Sequence, residues 1–317
     1  MLSAAANTND ESADLRIIIL AAGDGTRMAE LTRHLHGREV PKQFAELLVG
    51  RSLLQETVVR ASHLVSPDRM YVVVPRVWAG LSEHQLSPWP GINLVVQPEN
   101  RGTAIGVLLP LAVVLGVAPA ADVVVMPSHH YVPRPEPFLQ AVQRALGAAS
   151  TSCLALLGVV PDRAESDYSW IVPGDLLGED VYRVSGFVEN PTPDAALHLQ
   201  AAGGLWNSLL MAARAERLWQ SVSDMVPGIA RTIANLWRQE VHLGEAYRML
   251  PSVQLSHAVL ASHAEMVVVP VNGSGWAGLR SPDCVFRSLG STGHLQPLLW
   301  RIERQARSAG SPFSTAD

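Results

Sequence analysis

Lysine is nearly absent from this chain. Of its 24 lysine and arginine residues only one, Lys42, is lysine, against 23 arginines. Cysteine is scarce as well. The two, Cys153 and Cys284, form no disulfide framework and no metal-ligand spacing, which points to a reducing cytoplasm. Cys153 opens an apolar run and reads as a small buried hydrophobe. An excess of positive charge is missing too: the net charge of -5 over 317 residues gives no footprint for nucleic acid or for an anionic membrane surface. The most apolar run, Ile105 to Ala121, is too short to span a bilayer and contains Pro110 and two glycines, so it reads as a buried helix. What the chain does have is 48% hydrophobic and 17% charged residues, the balance of a folded globular protein. Residues 1–14 are small and polar, without the apolar centre of a signal peptide, and read as a disordered leader.

A coding bias toward arginine that merely spared one surface lysine would leave the same composition. Position argues for a role instead. Lys42 lies in Pro41-Lys42-Gln43-Phe44, shortly after the turn Gly23-Asp24-Gly25-Thr26-Arg27. An ammonium group is a compact, strongly hydrated point charge, suited to approaching one phosphate oxygen, where a guanidinium is a planar fork.

The first half alternates short β-branched runs with helical stretches. Strands are expected at Arg16–Ala21, Met70–Pro75, Ile92–Gln97, Asp122–Met126 and Cys153–Val159. Helices are expected at Ser52–Leu64, Thr103–Leu115 and Pro137–Ala149. Continuous apolar strands indicate a mostly parallel sheet covered on both faces. After Val160 the spacing changes to a mixed pattern, with strands at Tyr168–Val172, Tyr182–Glu189 and Trp206–Ala213. Residues 214–260 read as helical, Met266–Val271 as one more strand, and Pro297–Ser308 as a closing helix with proline in its first turn. The expected architecture is one α/β domain over residues 15–292, Rossmann-like, followed by a C-terminal helix and tail at 293–317.

The strand Ile17–Leu20 runs into Ala21-Ala22-Gly23-Asp24-Gly25-Thr26-Arg27. Ligands of open α/β sheets bind at such carboxyl ends. Glycines there let backbone N–H groups cradle an anion, and Arg27 adds a bidentate phosphate clamp. A third glycine and a ribose-binding carboxylate about 20 residues on are missing, so an NAD-type dinucleotide site is disfavoured.

Leu20 to Arg27 and Pro41-Lys42-Gln43-Phe44 together resemble the signature of the sugar-1-phosphate nucleotidyltransferases, in the branch of mannose-1-phosphate guanylyltransferases. The likeness continues in family order. It runs through Gln97-Pro98-Glu99-Asn100-Arg101-Gly102-Thr103-Ala104, Met126-Pro127-Ser128-His129-His130, Glu165-Ser166-Asp167-Tyr168, Phe187-Val188-Glu189-Asn190-Pro191 and Trp206-Asn207-Ser208. The resemblance implies a glycosyltransferase-A-like sheet and a reaction joining a nucleoside triphosphate to a sugar 1-phosphate. It implies that Arg27 holds the triphosphate and Lys42 stabilises charge at the reacting phosphates. Ala22, Gly23, Gly25, Thr26, Gln97, Gly102 and Thr103 would contact the nucleotide. Glu165, Glu189, Asn190, Trp206 and Asn207 would line the sugar.

Three departures stand against the matches. The family's magnesium-binding aspartate after the fourth strand is His129 here. Its second metal carboxylate, in a Trp-Ser-Asp segment, becomes Gly278 within Trp276-Ala277-Gly278. The lysine expected to touch the sugar phosphate is Asn190. Magnesium needs hard oxygen ligands, so Mg²⁺ binding becomes doubtful, while imidazole favours another divalent metal. Asp24 and Asp283 are the obvious substitute ligands. Two readings follow: a nucleotidyltransferase with unusual metal use, or an impaired relative that binds nucleotide and serves an active paralogue. The expected partners are a nucleoside triphosphate (GTP favoured) and a sugar 1-phosphate (mannose 1-phosphate favoured), with a homo-oligomer or a paralogue left open.

Overall fold

The structure, a computed structural model, describes residues 14–48, 50–149, 154–237, 244, 247–248, 250–256 and 265–308. Expectations for the leader, for Cys153, for much of 238–264 and for the tail after 308 lie outside the described residues.

Nine strands form one mixed sheet: β1 Leu15–Leu20, β2 Met70–Pro75, β3 Asn93–Gln97, β4 Asp122–Pro127, β5 Leu154–Val159, β6 Trp170–Gly178, β7 Val181–Val188, β8 Leu205–Arg214 and β9 Met266–Val271. Their order is β3-β2-β1-β4-β8-β5-β9-β7-β6, with β8 also pairing to β6. The half β3-β2-β1-β4 is parallel. β8 enters antiparallel between β4 and β5 and joins the parallel half to the mixed half, where β7 is reversed as well.

Helices cover both faces: α1 Ala29–His36, α2 Leu53–Ala61, α3 Ala79–Leu86, α4 Thr103–Val117, α5 Pro135–Ala149, α6 Pro193–Ala201, α7 Ala215–Met225 and α8 Pro227–Trp237. β1, β2 and β4 are apolar on both sides because helices cover both sides. Ile17, Ile19, Val72 and Val124 join one core layer, and Ile18, Val73, Val123 and Val125 the other. α4 is apolar around most of its circumference and packs against both the sheet and α7 and α8, which explains a hydrophobic run that crosses no membrane. Among the described residues no helix is long and apolar enough to span a bilayer.

A third, smaller core binds the site together. It unites Met28, Leu31 and Leu35 of the first turns with Ala45, Leu47, Ala277, Leu279, Val285 and Leu298. Leu298 belongs to the closing helix Leu295–Ser308, which starts two residues earlier than expected, so Pro297 is its third residue. The stretch 214–260 is not one helical run: it breaks at Val226, and residues 250–254 are irregular. That irregular stretch becomes a wall of the cleft described next.

Candidate active site

The cleft opens at the carboxyl ends of β1 and β4. Leu20 stands in register with Pro127, and Ser128 fastens the two strand ends through its N–H (3.0 Å) and its hydroxyl (2.7 Å), both donated to the Leu20 carbonyl. Beyond Leu20 the glycine loop is held from below. The buried Gln43 amide donates to the carbonyls of Ala21 (3.0 Å) and Gly23 (2.7 Å). Gly25 has φ +66°, and a Cβ there would lie 3.0 Å from the Lys42 nitrogen and 3.2 Å from Pro41 Cα. Only glycine lets the loop lie this close against Pro41-Lys42. Two motifs separated in sequence are therefore one structural unit.

The facing wall is Asn100–Thr103. Gly102 sits at φ +86°, with the Val253 carbonyl only 2.3 Å from where a Cβ would stand. Residues 253–255 strap this wall down. Ala104 donates to the Val253 carbonyl (3.1 Å), and the Leu255 N–H donates to Thr103 Oγ1 (2.7 Å). Asn100 then bridges the cleft rim, donating to Asp24 Oδ2 at 3.0 Å. α4 begins at Thr103, so the positive end of its dipole faces the opening.

A bulge builds the third wall. Between the pairs Leu156–Met211 and Gly158–Asn207 the β5–β8 register slips. Leu209 there adopts φ +58°, and Asn207 Oδ1 accepts its N–H at 3.0 Å. Such bulges re-aim a side chain, and Leu209 lines the cleft. Opposite it, the loop Trp276–Arg280 is pinned by an isolated bridge between Tyr131 and Ala277 and by the Gly278 N–H donating to Tyr168 Oη (3.2 Å).

The resulting cleft encloses about 530 Å³ and gathers Ala22, Gly23, Gly25, Thr26, Arg27, Lys42, Gly102, Thr103 and His129. A hollow of about 600 Å³ at the amino end of β9, lined by Arg144, Arg183 and Glu265 among others, gathers none of the motif residues.

The electrostatics inside are one-sided. Lys42 Nζ donates to the carbonyls of Gly278 (3.3 Å) and Leu279 (3.2 Å). Burial, reinforced by Arg280 and Arg27, pushes its pKa down to about 7. His129 and His130 are held neutral, first by burial and then by the neighbouring cations. Their rings meet edge to face at 5.0 Å, but only His129 lines the cleft. His130 turns away onto Trp276, with ring centres 4.9 Å apart, so the two do not act as a chelating pair.

Other motif residues lie outside this cleft lining. Gln97 is fully buried at the end of β3, and neither atom of its amide has a hydrogen-bond partner among the described residues. Trp206 is 2% exposed and packs with Tyr168, Trp170 and Trp276 in an aromatic group. Asn207 is buried beside the bulge it stabilises. Glu165 pairs with Arg163 at 3.3 Å, and that guanidinium lies over Trp206 at 5.1 Å. Glu189 is half-buried, and Asn190 is exposed with φ +45°. Asp283, expected as a substitute ligand, is exposed in the first turn of the helix Pro282–Gly290 and does not reach the cleft. Among the lining residues that no sequence motif marks, two carry polar side chains, Arg280 and Gln254. Gln254 comes from the stretch expected to be helical, and Arg280 stands just beyond the Trp276-Ala277-Gly278 segment.

A nucleotidyl transferase family model matches residues 16–249, about three quarters of the chain. This chain belongs to the nucleotidyl transferase family. A mannose-1-phosphate guanylyltransferase of Salmonella muenchen is 30% identical over 276 residues, covering 83% of this chain and 57% of the relative. One from Escherichia coli K12 is 27% identical over 280 residues. The chain thus spans a little over half the length of these curated relatives. A Thermus thermophilus structure described as a mannose-1-phosphate geranyltransferase superposes with TM-score 0.77 at 29% identity, over 87% of this chain and 79% of that one. A UDP-glucose pyrophosphorylase in complex with UDP-glucose shares the fold, with TM-score 0.57 and 16% identity, over 89% of this chain and 98% of that one.

The resemblance implies magnesium, and the residues present do not fit it. A hard dication needs several anionic or carbonyl oxygens. The cleft lining offers one carboxylate, Asp24, already accepting from Asn100, beside the basic side chains Arg27, Lys42 and Arg280. The carbonyls of Gly278 and Leu279 are occupied by Lys42. Among the described residues no group of three or more His, Cys, Asp or Glu side chains is placed to hold a metal ion.

Proposed function

We propose that this chain is a sugar-1-phosphate nucleotidyltransferase, with guanylyl transfer from GTP to mannose 1-phosphate as the favoured reaction. One observation carries the reading. In a chain of this family, the glycine loop, Arg27 and Lys42 converge on one cleft at the carboxyl ends of β1 and β4.

In the reaction an oxygen of the sugar phosphate attacks the α-phosphorus of the nucleotide. The P–O bond between the α and β phosphates breaks, and its electron pair leaves with pyrophosphate. Positioning and charge neutralisation supply most of the acceleration in such a transfer. Arg27 grips the leaving β and γ phosphates, and Lys42, fixed on two carbonyls, meets the charge that builds on them. The start of α4 with Gly102, Thr103 and Gln254 receives the nucleoside. The sugar end falls to Glu165, Glu189, Asn190 and Asn207 around the Trp206 group. Guanine and mannose rest on the named relatives.

A second reading, a relative that binds nucleotide without turnover and serves an active partner, is favoured by His129, Gly278 and Asn190. Pyrophosphate release from a panel of nucleoside triphosphates and sugar 1-phosphates, with and without divalent metals, separates the two. Nucleotide-sugar formed with any pair supports the enzyme; nucleotide binding without product supports the partner role.

A further inference from the structure

The two positions where the resemblance asks for metal-binding carboxylates are a neutral imidazole, His129, and a glycine, Gly278, and positive charge stands beside both. The ammonium of Lys42 is bonded to the backbone of Gly278 itself. Arg280, two residues further on, lines the same cleft. Its guanidinium lies over the Tyr168 ring at 4.6 Å and donates to the Asp167 carbonyl, so its position is fixed from both sides. Arg27 completes the group from the glycine loop.

Among the described residues, none of these three side chains has a carboxylate within ion-pair distance. Cations drawn out of water are ordinarily paired; Lys42 and Arg280 are half-buried, and Arg27 is exposed. Three cations that converge on one cleft, with Asp24 the one carboxylate in its lining, form a site built for an anion. The backbone is prepared as well. Met28, Ala45 and Leu279, each within three residues of one of the cations, are buried in the same core, so the group is held on a common support. Leu279 keeps φ +42°, a left-handed conformation that a leucine adopts only where its surroundings impose it.

Resting on the reading of this cleft as a nucleotide site, we propose that Arg280, with Arg27 and Lys42, forms a fixed cationic seat for the substrate's phosphates and takes the place of the divalent ion. Nucleotide then binds as the free polyphosphate anion. A dication is repelled by Arg27 and Arg280, and by Lys42 whenever it carries its proton. Arg280 is the decisive member, because the family resemblance assigns it nothing.

The test is calorimetric titration of the intact chain with inorganic tripolyphosphate and with GTP, once in EDTA and once in magnesium. Binding in EDTA at least as tight as in magnesium is expected for both ligands. Arg280→Gln should weaken it tenfold or more, and Arg280→Lys should recover most of the loss. Near-UV circular dichroism and melting temperature report whether each variant is folded; if Arg280→Gln is not, Arg280→Lys and the wild-type metal comparison still decide. Magnesium tightening GTP binding tenfold or more, or an unaltered affinity in a folded Arg280→Gln, overturns the proposal. So does failure of tripolyphosphate to bind under either condition. The two readings fail separately. Metal-free binding that depends on Arg280, without nucleotide-sugar product, removes only the transferase function. Turnover that requires magnesium and ignores Arg280 removes only the cationic seat.

Discussion

Binding of a polyphosphate should load a proton onto Lys42. Buried beside Arg280 and Arg27, the free side chain has its pKa lowered to about 7. A phosphate arriving at the same ammonium favours the charged form and moves that pKa back up. At pH 8 the free amine is then about nine-tenths neutral, so binding takes up roughly 0.9 proton; at pH 7 the uptake is about 0.5 and at pH 6 about 0.1. With GTP as the ligand, the ligand itself contributes little at pH 8, because a terminal phosphate with a second pKa of about 6 is already ionised there. Affinity should accordingly fall close to tenfold per pH unit above 7, equivalent to about 1.4 kcal/mol. Calorimetry at pH 8 in two buffers of different ionisation enthalpy reads the proton count directly. Lys42→Arg, whose guanidinium is charged throughout, should abolish the uptake. The other titratable groups that act on this amine include Cys284, His130 and His129; burial holds His129 neutral at that pH, so His129→Gln should leave the count unchanged. Full-strength binding at pH 8 with no proton taken up, or an uptake that survives in Lys42→Arg, refutes the argument.

The same shift has a consequence for stability. The unfolded lysine holds its proton up to about 10.5 and the folded one only to about 7, so the unfolded chain carries the extra proton in between. Unfolding free energy should therefore rise with pH across that window, by up to about 1.4 kcal/mol per unit from this group, and denaturant titrations of Lys42→Met should lack that component. Gly25→Ala forces a left-handed alanine against Lys42 and Pro41; a loss of about 1–2 kcal/mol is expected by urea unfolding, together with weakened tripolyphosphate binding. Gly102→Ala, whose Cβ would collide with the Val253 carbonyl, should displace the 253–255 strap and cost more than Gly25→Ala in the same assay. Gln43→Leu removes both donors to the glycine loop, and the two carbonyls left without them should lower stability by about 1–3 kcal/mol.

Much of the parallel half was legible because its residues act locally. Met70–Pro75 is a strand at its predicted bounds, since six consecutive residues are covered from both faces and nothing in their pattern is ambiguous. The glycine loop was legible for the same reason: Gln43 bonds to Ala21 and Gly23, and Gly25 lies against the Lys42 backbone, all within one short segment. What stayed hidden depends on distant partners. Gln254 enters the cleft because Gly102 and Thr103 capture residues 253–255 across about 150 positions of sequence. The left-handed Leu209 follows from a slip in register between β5 and β8. Trp206 reads as a sugar platform in its motif, yet three other aromatic rings surround it in space. A short segment does not encode which of its faces the rest of the chain will cover.

Arg280 is the sharpest case, and it changes the meaning of the lost acids. Taken singly, His129 and Gly278 look like decay of a metal site. In space they adjoin the charge that replaced the metal. A carboxylate in place of the His129 ring would pair with Lys42 and Arg280 and quench them. A side chain at 278 would meet Tyr168 Cε1 at 3.1 Å, its hydroxyl at 3.2 Å and the Trp276 ring at 3.3 Å, disturbing the ring on which Arg280 rests. Carboxylates with a metal, or free cations without one, are each self-consistent arrangements; a mixture is not. His129→Asp in an otherwise unaltered chain therefore should not recover a magnesium-dependent site. It should lower tripolyphosphate affinity in EDTA, by roughly tenfold or about 1.4 kcal/mol, and magnesium should not restore it. Recovery of wild-type affinity on adding magnesium to His129→Asp would mean that the cleft is a metal site with one ligand missing, and the argument from charge would fall.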